Sequence, residues 1–476
     1  MARNPAYVVR PAYGRYNYFL WIKIESIKVT EFAHAQDSRL LGHLFSTPAM
    51  KRVFSDTSTL KRWLEVEAAL ARVQSDLHLI PAEAAEAIGK ACKTGKYDLQ
   101  SLGRQISEAS HPLTPIIAEI EGNSGNFSQY VHFGATTQDI MDSGLALQMK
   151  AGLKLLVAEH ERLLKACVLQ AKTWRALPMA GRTHGQHAVP ITLGLKFALV
   201  ASETHRHLGR LNELLNSLPV QFAGAAGTLA SLGTKGQQVR RKLASELDLV
   251  DPKGSWHTSR DLIAHIISQL ALSAATCGKI ANEVVNLQRT EIGELAEGTA
   301  SGTGGSSTMP QKRNPMLAQN IVALARLMTH RPAMALDAMI HEHERDMAAW
   351  TMEWAAIPES FIYGHAAVTQ CAHLVANLQV DEGRISQNLA ASEGLICAEA
   401  VMMDLAPDMG RSDAHHAIAD LVSQVQTRGV SFSSALNQDK RINALRTPVQ
   451  IAALLEPENY TGDAIQTVDR IVRRLE

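Results

Sequence analysis

The sequence predicts an all-α fold, a bundle of long helices, on three observations. Proline is absent between Pro115 and Pro178, between Pro252 and Pro310, and between Pro358 and Pro407. A proline inside a helix costs about 3 kcal/mol, so such gaps are room for long helices. Apolar residues recur at helical spacing: Leu60, Trp63, Leu64, Leu70, Val73 and Leu77 in one segment, and Met149, Leu153, Leu156, His160, Leu163 and Cys167 in another. The alternation of half-buried strands is scarce, and only residues 220–222, just after Pro219, read as a short strand.

In chain order, residues 1–36 differ from the rest. They hold Tyr7, Tyr13, Tyr16, Tyr18, Phe19 and Trp21, with no acid before Glu25. They read as an extension outside the core, with a basic aromatic interaction arm as the alternative. The run Asp37-Ser38-Arg39-Leu40-Leu41 opens an N-terminal helical domain over 37–145. A central long-helix domain follows over 146–383. Within it residues 261–295 are apolar around much of the helix circumference, as suits the inside of a bundle. Residues 384–476 read as a small C-terminal helical domain.

Composition narrows the function. Lys plus Arg and Asp plus Glu are 47 each among 476 residues, which argues against binding nucleic acid or an anionic membrane by bulk charge. Hydrophobic content of 46% with 20% charged residues is globular, not disordered. No apolar run reaches the roughly 20 residues of a membrane span, and no signal-peptide pattern opens the chain, so a cytoplasmic location is expected. Cys92, Cys167, Cys277, Cys371 and Cys397 are odd in number, widely spaced and without CxxC. They read as buried thiols, not as a disulfide frame or zinc site. The run His341-Glu342-His343-Glu344 lacks the i, i+4 spacing of HExxH, and there is no Walker A or GxGxxG segment. No metal and no cofactor are expected. His415-His416 reads as a surface pair.

The segment richest in chemistry is Gly302-Thr303-Gly304-Gly305-Ser306-Ser307-Thr308-Met309-Pro310-Gln311-Lys312-Arg313-Asn314-Pro315. Its glycines, serines and prolines predict a loop between helical regions, with serine hydroxyls near an anion-binding cation. Its 305–315 part, GSSTMPQKRNP, resembles the signature loop of the fumarase/aspartase superfamily. Two more blocks agree, VHFGATTQD at 131–139 and GRTHGQHA at 181–188. The resemblance covers roughly 37–476. His343-Glu344-Arg345, Trp350, Glu353-Trp354 and Glu399-Ala400-Val401-Met402-Met403 resemble the 3-carboxy-cis,cis-muconate cycloisomerase branch, close to adenylosuccinate lyase.

That resemblance implies a homotetramer with a central twenty-helix bundle and active sites shared among subunits. It implies a cofactor-independent enzyme for a small succinate-like di- or tricarboxylate. A proton leaves the carbon beside a carboxylate and an aci-carboxylate carbanion forms. Ser306 matches the base, with Ser307 as fallback. Lys312 and Asn314 match carboxylate binders, and His184 the catalytic histidine. His111 and His132 match two further active-site histidines, and Thr136, Thr137 and Gln138 the carboxylate-binding turn. Gln221 and Arg345 match substrate contacts; Thr136–Asp139 also reads as a helix cap. The bacterial cycloisomerases of the branch carry a bulky aromatic where this chain has His184. With Ser306 on one face of the carbanion and His184 on the other, the set suits a cycloisomerase-like lyase, a C–N lyase of an N-substituted aspartate, or an epimerase of such a compound, for example iminodisuccinate. The rival class is a non-catalytic structural homologue.

Overall fold

The computed structural model of the protein describes residues 34–298, 308–309 and 311–476. The aromatic stretch 1–33 and the serines Ser306 and Ser307 lie outside the described residues. The fold is all-α, as expected, and its body is formed by the helices Thr137–Thr173, Leu193–Leu215, Asp261–Leu287, Met316–Thr329 and Met347–Ala376. Met149, Leu153, Leu156, His160, Leu163 and Cys167 are all buried, so the helical spacing read in the sequence is the core face of the first helix.

Cross-links set the helix directions. Arg260, at the start of the 261–287 helix, bonds Asp142 near the start of the 137–173 helix, and further along His160 bonds Ser273. Those two helices are therefore parallel. The 347–376 helix is parallel to both, because Glu353 near its start meets Arg260 and the carbonyl of Val375 near its end accepts from Gln170. The 193–215 helix returns antiparallel, starting where Gly194 N–H meets the Trp174 carbonyl and leading back to Gln221, whose backbone meets Ser143. The bundle thus has a leading end, where the 137–173 helix begins, and a trailing end. At about 1.5 Å per residue they are ~55 Å apart along that 37-residue helix.

At the leading end one cation ties three helices together. The Arg260 side chain, fully buried, makes a two-bond contact to Asp142 (2.6 and 3.2 Å) and bonds both oxygens of Glu353. Trp350 donates its indole N–H to Asp142 at 3.0 Å, and the guanidinium lies over the Trp256 ring at 4.7 Å. Burial raises Glu353 above its usual carboxylate range despite the opposing pull of Arg260.

Two readings need correction, and the proline rule has an exception. Residues 220–222 are not a strand. Pro219 forms a single parallel bridge to Val250, with Val220 N–H on the Val250 carbonyl; beyond it the Gln221 amide is taken by Ser143 and those of Ala223 and Gly224 by the Asp139 carboxylate instead of a neighbouring strand. A β-hairpin pairs Pro178–Thr183 with Gln186–Thr192, which the search for alternation missed because its burial runs in blocks. The exception is Pro358, which lies inside Met347–Ala376 although proline is costly in a helix interior. That helix starts eleven residues earlier on the Asp346 cap, whose carboxylate accepts from Ala348 N–H at 2.8 Å, and its first turns carry Trp350 and Glu353 into the Arg260 cluster.

The 261–287 helix is long and apolar enough, by composition, to cross a membrane, yet 67% of its most apolar window is buried in the fold. Its polar side chains Gln269, Ser273 and Thr276 are buried too: Gln269 and Thr276 both bond His207 at 2.9 Å, and Ser273 bonds His160. The first apolar cluster joins helices before residue 124 to Ile140, Leu147, Val220, Phe222, Val239 and Leu243, and so crosses position 145. A C-terminal cluster runs from Val401 to Ile451, while the last helix, Ala464–Leu475, lays Val468 and Val472 into the trailing end of the bundle.

Arg260→Met abandons two buried carboxylates and is expected to cost about 3–5 kcal/mol at pH 8. Glu353, already raised by burial, would lose the opposing pull of Arg260 and rise further, so the loss shrinks as the pH falls and it takes up a proton. Urea denaturation at pH 8 and pH 5.5 measures both.

Candidate active site

At the leading end the chain gathers seven of the expected residues. Thr136 starts the 137–173 helix, its N–H bonded to the Asp139 carboxylate at 3.0 Å. Asp139 is fully buried and also accepts from Ala223 N–H (2.9 Å), Gly224 N–H (3.0 Å) and His257 Nε2 (2.9 Å), pinning the 221–224 turn against the helix start. His111 Nδ1 accepts from the Thr114 N–H at 3.1 Å, which leaves Nε2 as the protonated nitrogen of the neutral ring; it stands 3.3 Å from Thr137 Oγ1. These hydroxyls and imidazoles sit at the positive end of a long helix dipole, beside first-turn amides with no intrahelical acceptor.

Gln138 is fully buried with its amide committed: Nε2 donates to Asp142 (3.1 Å) and to the His257 carbonyl (3.0 Å), and Oε1 accepts from Arg345 Nε at 2.9 Å. In this chain Gln138 therefore aims Arg345. Among the described residues, Arg345 Nη2, Gln221 Nε2, His257 Nδ1 and both ring nitrogens of His341 are buried without a hydrogen-bond partner. Gln221 is held by Trp256 N–H on its Oε1 at 3.3 Å. Burial and the Arg260 charge lower His341, so it stays neutral. Such a concentration of unsatisfied polar atoms at one place is costly unless a ligand meets them.

His132 stands four residues before the helix cap with φ 57°, and its Nδ1 is 2.6 Å from Glu67. Burial alone would depress the imidazole; the Glu67 charge and hydrogen bond outweigh it and hold His132 above its ordinary value.

The trailing end carries the rest. His184 (φ 52°) and Gly185 (φ 76°) form the two-residue turn of the hairpin, and both are exposed. Gly181 is required beneath it, since a Cβ there would lie 2.7 Å from the Val189 carbonyl oxygen. Arg182 clamps the hairpin to the buried Glu294 by bonds of 2.9 and 2.6 Å. Glu294 lies just after the 261–287 helix, on the way to the signature segment. Lys312 is exposed and Asn314 half-buried. Arg313 is tethered through its carbonyl to Gln288, and Glu297 accepts from the Leu317 and Ala318 amides at the start of the 316–329 helix. Among the described residues the Lys312 and Asn314 side chains make no hydrogen bond. A cavity of about 690 Å³ between the hairpin and the C-terminal helices is lined by none of the expected site residues. Among the described residues no group of three or more His, Cys, Asp or Glu side chains is placed to hold a metal ion, and His415 and His416 are exposed.

The chain therefore brings together His111, His132, Thr136, Thr137, Gln138, Gln221 and Arg345, and separates them from His184, Lys312 and Asn314 by the length of the bundle. Sequence reasoning missed Glu67, Asp142, His257 and Arg260, and took Asp139 for a cap alone. The one available signal was the pair of acids Asp139 and Asp142 close together near the start of a long helix.

A family model described as Lyase matches residues 44–328, and one described as Adenylosuccinate lyase C-terminus matches 394–471. The chain is 37% identical to a 3-carboxy-cis,cis-muconate cycloisomerase of Bradyrhizobium diazoefficiens, over 92% of this chain and 98% of the relative. It is 36% identical to an N-acetyl-S-(2-succino)cysteine lyase of Enterococcus italicus, over 92% and 97%. The solved 3-carboxy-cis,cis-muconate lactonizing enzyme of Pseudomonas putida superposes with a TM-score of 0.87 at 36% identity, covering 92% of this chain and 99% of that one.

Because Gln138 aims Arg345, Gln138→Leu and Arg345→Met are expected to be non-additive in kcat/KM. A double-mutant cycle is expected to return a coupling of about 0.5–3 kcal/mol, and zero coupling would separate the two residues.

Proposed function

The chain belongs to the fumarase/aspartase superfamily of lyases, and on that premise we propose a cytoplasmic, cofactor-independent homotetramer that acts on a succinate-like di- or tricarboxylate. The observation that carries this reading is the division of the site. Among the described residues, unsatisfied polar atoms crowd the leading end, His184, Lys312 and Asn314 make no side-chain hydrogen bond at the trailing end, and ~55 Å of helix lies between them. Neither end is a complete site, so subunits packed with the leading end of one against the trailing end of another would supply both halves.

In this reading the leading end binds one carboxylate through Thr136, Thr137, His111 and Arg345, with the helix dipole adding to the attraction. Lys312 and Asn314 of another subunit hold the carboxylate beside the reacting carbon. Ser306, with Ser307 as fallback, removes the proton from that carbon, and the charge that develops is spread onto the carboxylate they hold. The best label is a 3-carboxy-cis,cis-muconate cycloisomerase-like lyase. A second reading is favoured by His184, an exposed imidazole at the tip of a rigid hairpin. A group so presented can protonate a leaving nitrogen or sulfur, making the enzyme a lyase of an N- or S-substituted succinate. It can also return a proton to the opposite face of the carbanion, making it an epimerase.

Two experiments test these readings. Lys312→Met and Arg345→Met are each expected to be inactive on a panel of fumarate adducts and 3-carboxymuconate. Unfolded together in equal amounts and refolded, they are expected to regain about a quarter of wild-type activity, the share of sites drawing both intact halves. No recovery, or a monomer in light scattering, sinks the shared site. For the choice of reaction, turnover in deuterated water decides. If His184 is the acid, His184→Asn loses about 10²–10⁴-fold in rate while solvent label still enters beside the carboxylate. Near-wild-type rates for both His184→Asn and His184→Trp remove the lyase and epimerase reading and leave the cycloisomerase.

A further inference from the structure

Glu67 lies in the helix Asp56–Asp76, sixty-five residues before His132, and its side chain is 1% exposed. Acids this deep in a fold are normally paired, since an unpaired buried carboxylate is costly. Its polar contact among the described residues is His132 Nδ1, at 2.6 Å. The imidazole is more open, 16% exposed, and among the described residues its Nε2 has no hydrogen-bond partner. The loop that carries it is anchored from behind. Gln74, two turns of the same helix further on and buried, donates to the Phe133 carbonyl at 2.6 Å, and Gly134 (φ 73°) packs where a Cβ would meet Leu232 at 2.7 Å. Four residues later the loop becomes Thr136, the cap of the 137–173 helix. The ring is thus fixed on one side and left with one outward nitrogen, beside the carboxylate-binding turn.

We infer that Glu67 is a positioning residue of the site: by taking the Nδ1 proton of His132 in a hydrogen bond it fixes the ring's orientation and keeps Nε2–H as a cationic donor for a substrate carboxylate. This rests on the proposed carboxylate-binding reading of the leading end. The charged groups acting on His132 from the elements around it are Glu67, Asp139 of the 137–173 helix and Glu121 of the Thr114–Asn123 helix, and all three favour the imidazolium. Burial opposes them and loses. The sign is that of a histidine gaining a partner: the charged form is complete below the ordinary histidine value and is lost as the pH rises through the raised one. A loop clamp without this electrostatic role would need no charge at position 67, and glutamine, which accepts the same hydrogen bond, would serve.

The test separates these. Deuterium exchange at the imidazole C2–H, followed by mass spectrometry of the intact assembly after digestion, gives the titration midpoint of His132 without any ligand. The wild-type midpoint is expected above that of an ordinary histidine. It is expected to fall by about one to three pH units in Glu67→Gln and to be largely kept in Glu67→Asp. The alkaline limb of kcat/KM should move down by the same amount in Glu67→Gln, with KM rising more than kcat falls. A wild-type midpoint at or below the ordinary value overturns the inference, even if Glu67→Gln does not fold. So does a midpoint unmoved by Glu67→Gln, or one that moves while the pH profile stays in place. If the wild type turns over no carboxylate of the panel, the functional reading fails, and the exchange midpoint still decides the Glu67–His132 pair by itself.

Discussion

One buried cation organises the leading end. Arg260 meets Asp142 and Glu353, two acids to one guanidinium, with the Trp350 indole N–H on Asp142 and the Trp256 ring beneath the cation. Three parallel helices start from this point, and their common register is set there before any apolar packing further along. Well-packed apolar side chains of similar volume often stabilise a fold as much or more. What the ion cluster adds is alignment: it fixes where the helices begin, and the residues at those beginnings are the ones that face the site.

The same cluster is the hidden support of the donors. Asp142 receives the Gln138 amide, Gln138 receives Arg345, and Asp139, three residues before Asp142, holds the 221–224 turn and His257. His257 and His132 each bond a buried carboxylate directly, and Arg345 reaches Asp142 through Gln138. Preorganisation of this kind lets a site attract an anion without rearranging, because the donors already point and their own counter-charges are tied up behind them. The trailing end is built differently, on a hairpin clamped by Arg182 and Glu294 and on a helix start capped by Glu297.

Much of this was legible in the sequence. Long proline-free spans and the buried stripe Met149 to Cys167 announced the bundle, and three separated blocks named residues that the fold gathers at its two ends. Local periodicity carries such information because a helix repeats its face every few residues. What it does not carry is the partner across the fold. Glu67 and His132 are sixty-five residues apart, Arg260 and Asp142 more than a hundred, and no spacing rule joins them. The hairpin escaped because its strands are covered unevenly, and the proline rule fails at Pro358 because the Arg260 cluster holds the helix start in spite of it.

The stripe of Gln269, Ser273 and Thr276 on the 261–287 helix has a consequence for the making of the protein. By composition that segment satisfies the demands of lipid, and a nascent chain is sorted largely on composition. In hydrocarbon those three side chains would give up His207 and His160 and find nothing equivalent. Inside the bundle a slide by one turn would break the same bonds. A few polar atoms thus act as an address label as well as a ratchet: they make water-born assembly the better destination for this helix, and admit only one notch when it arrives.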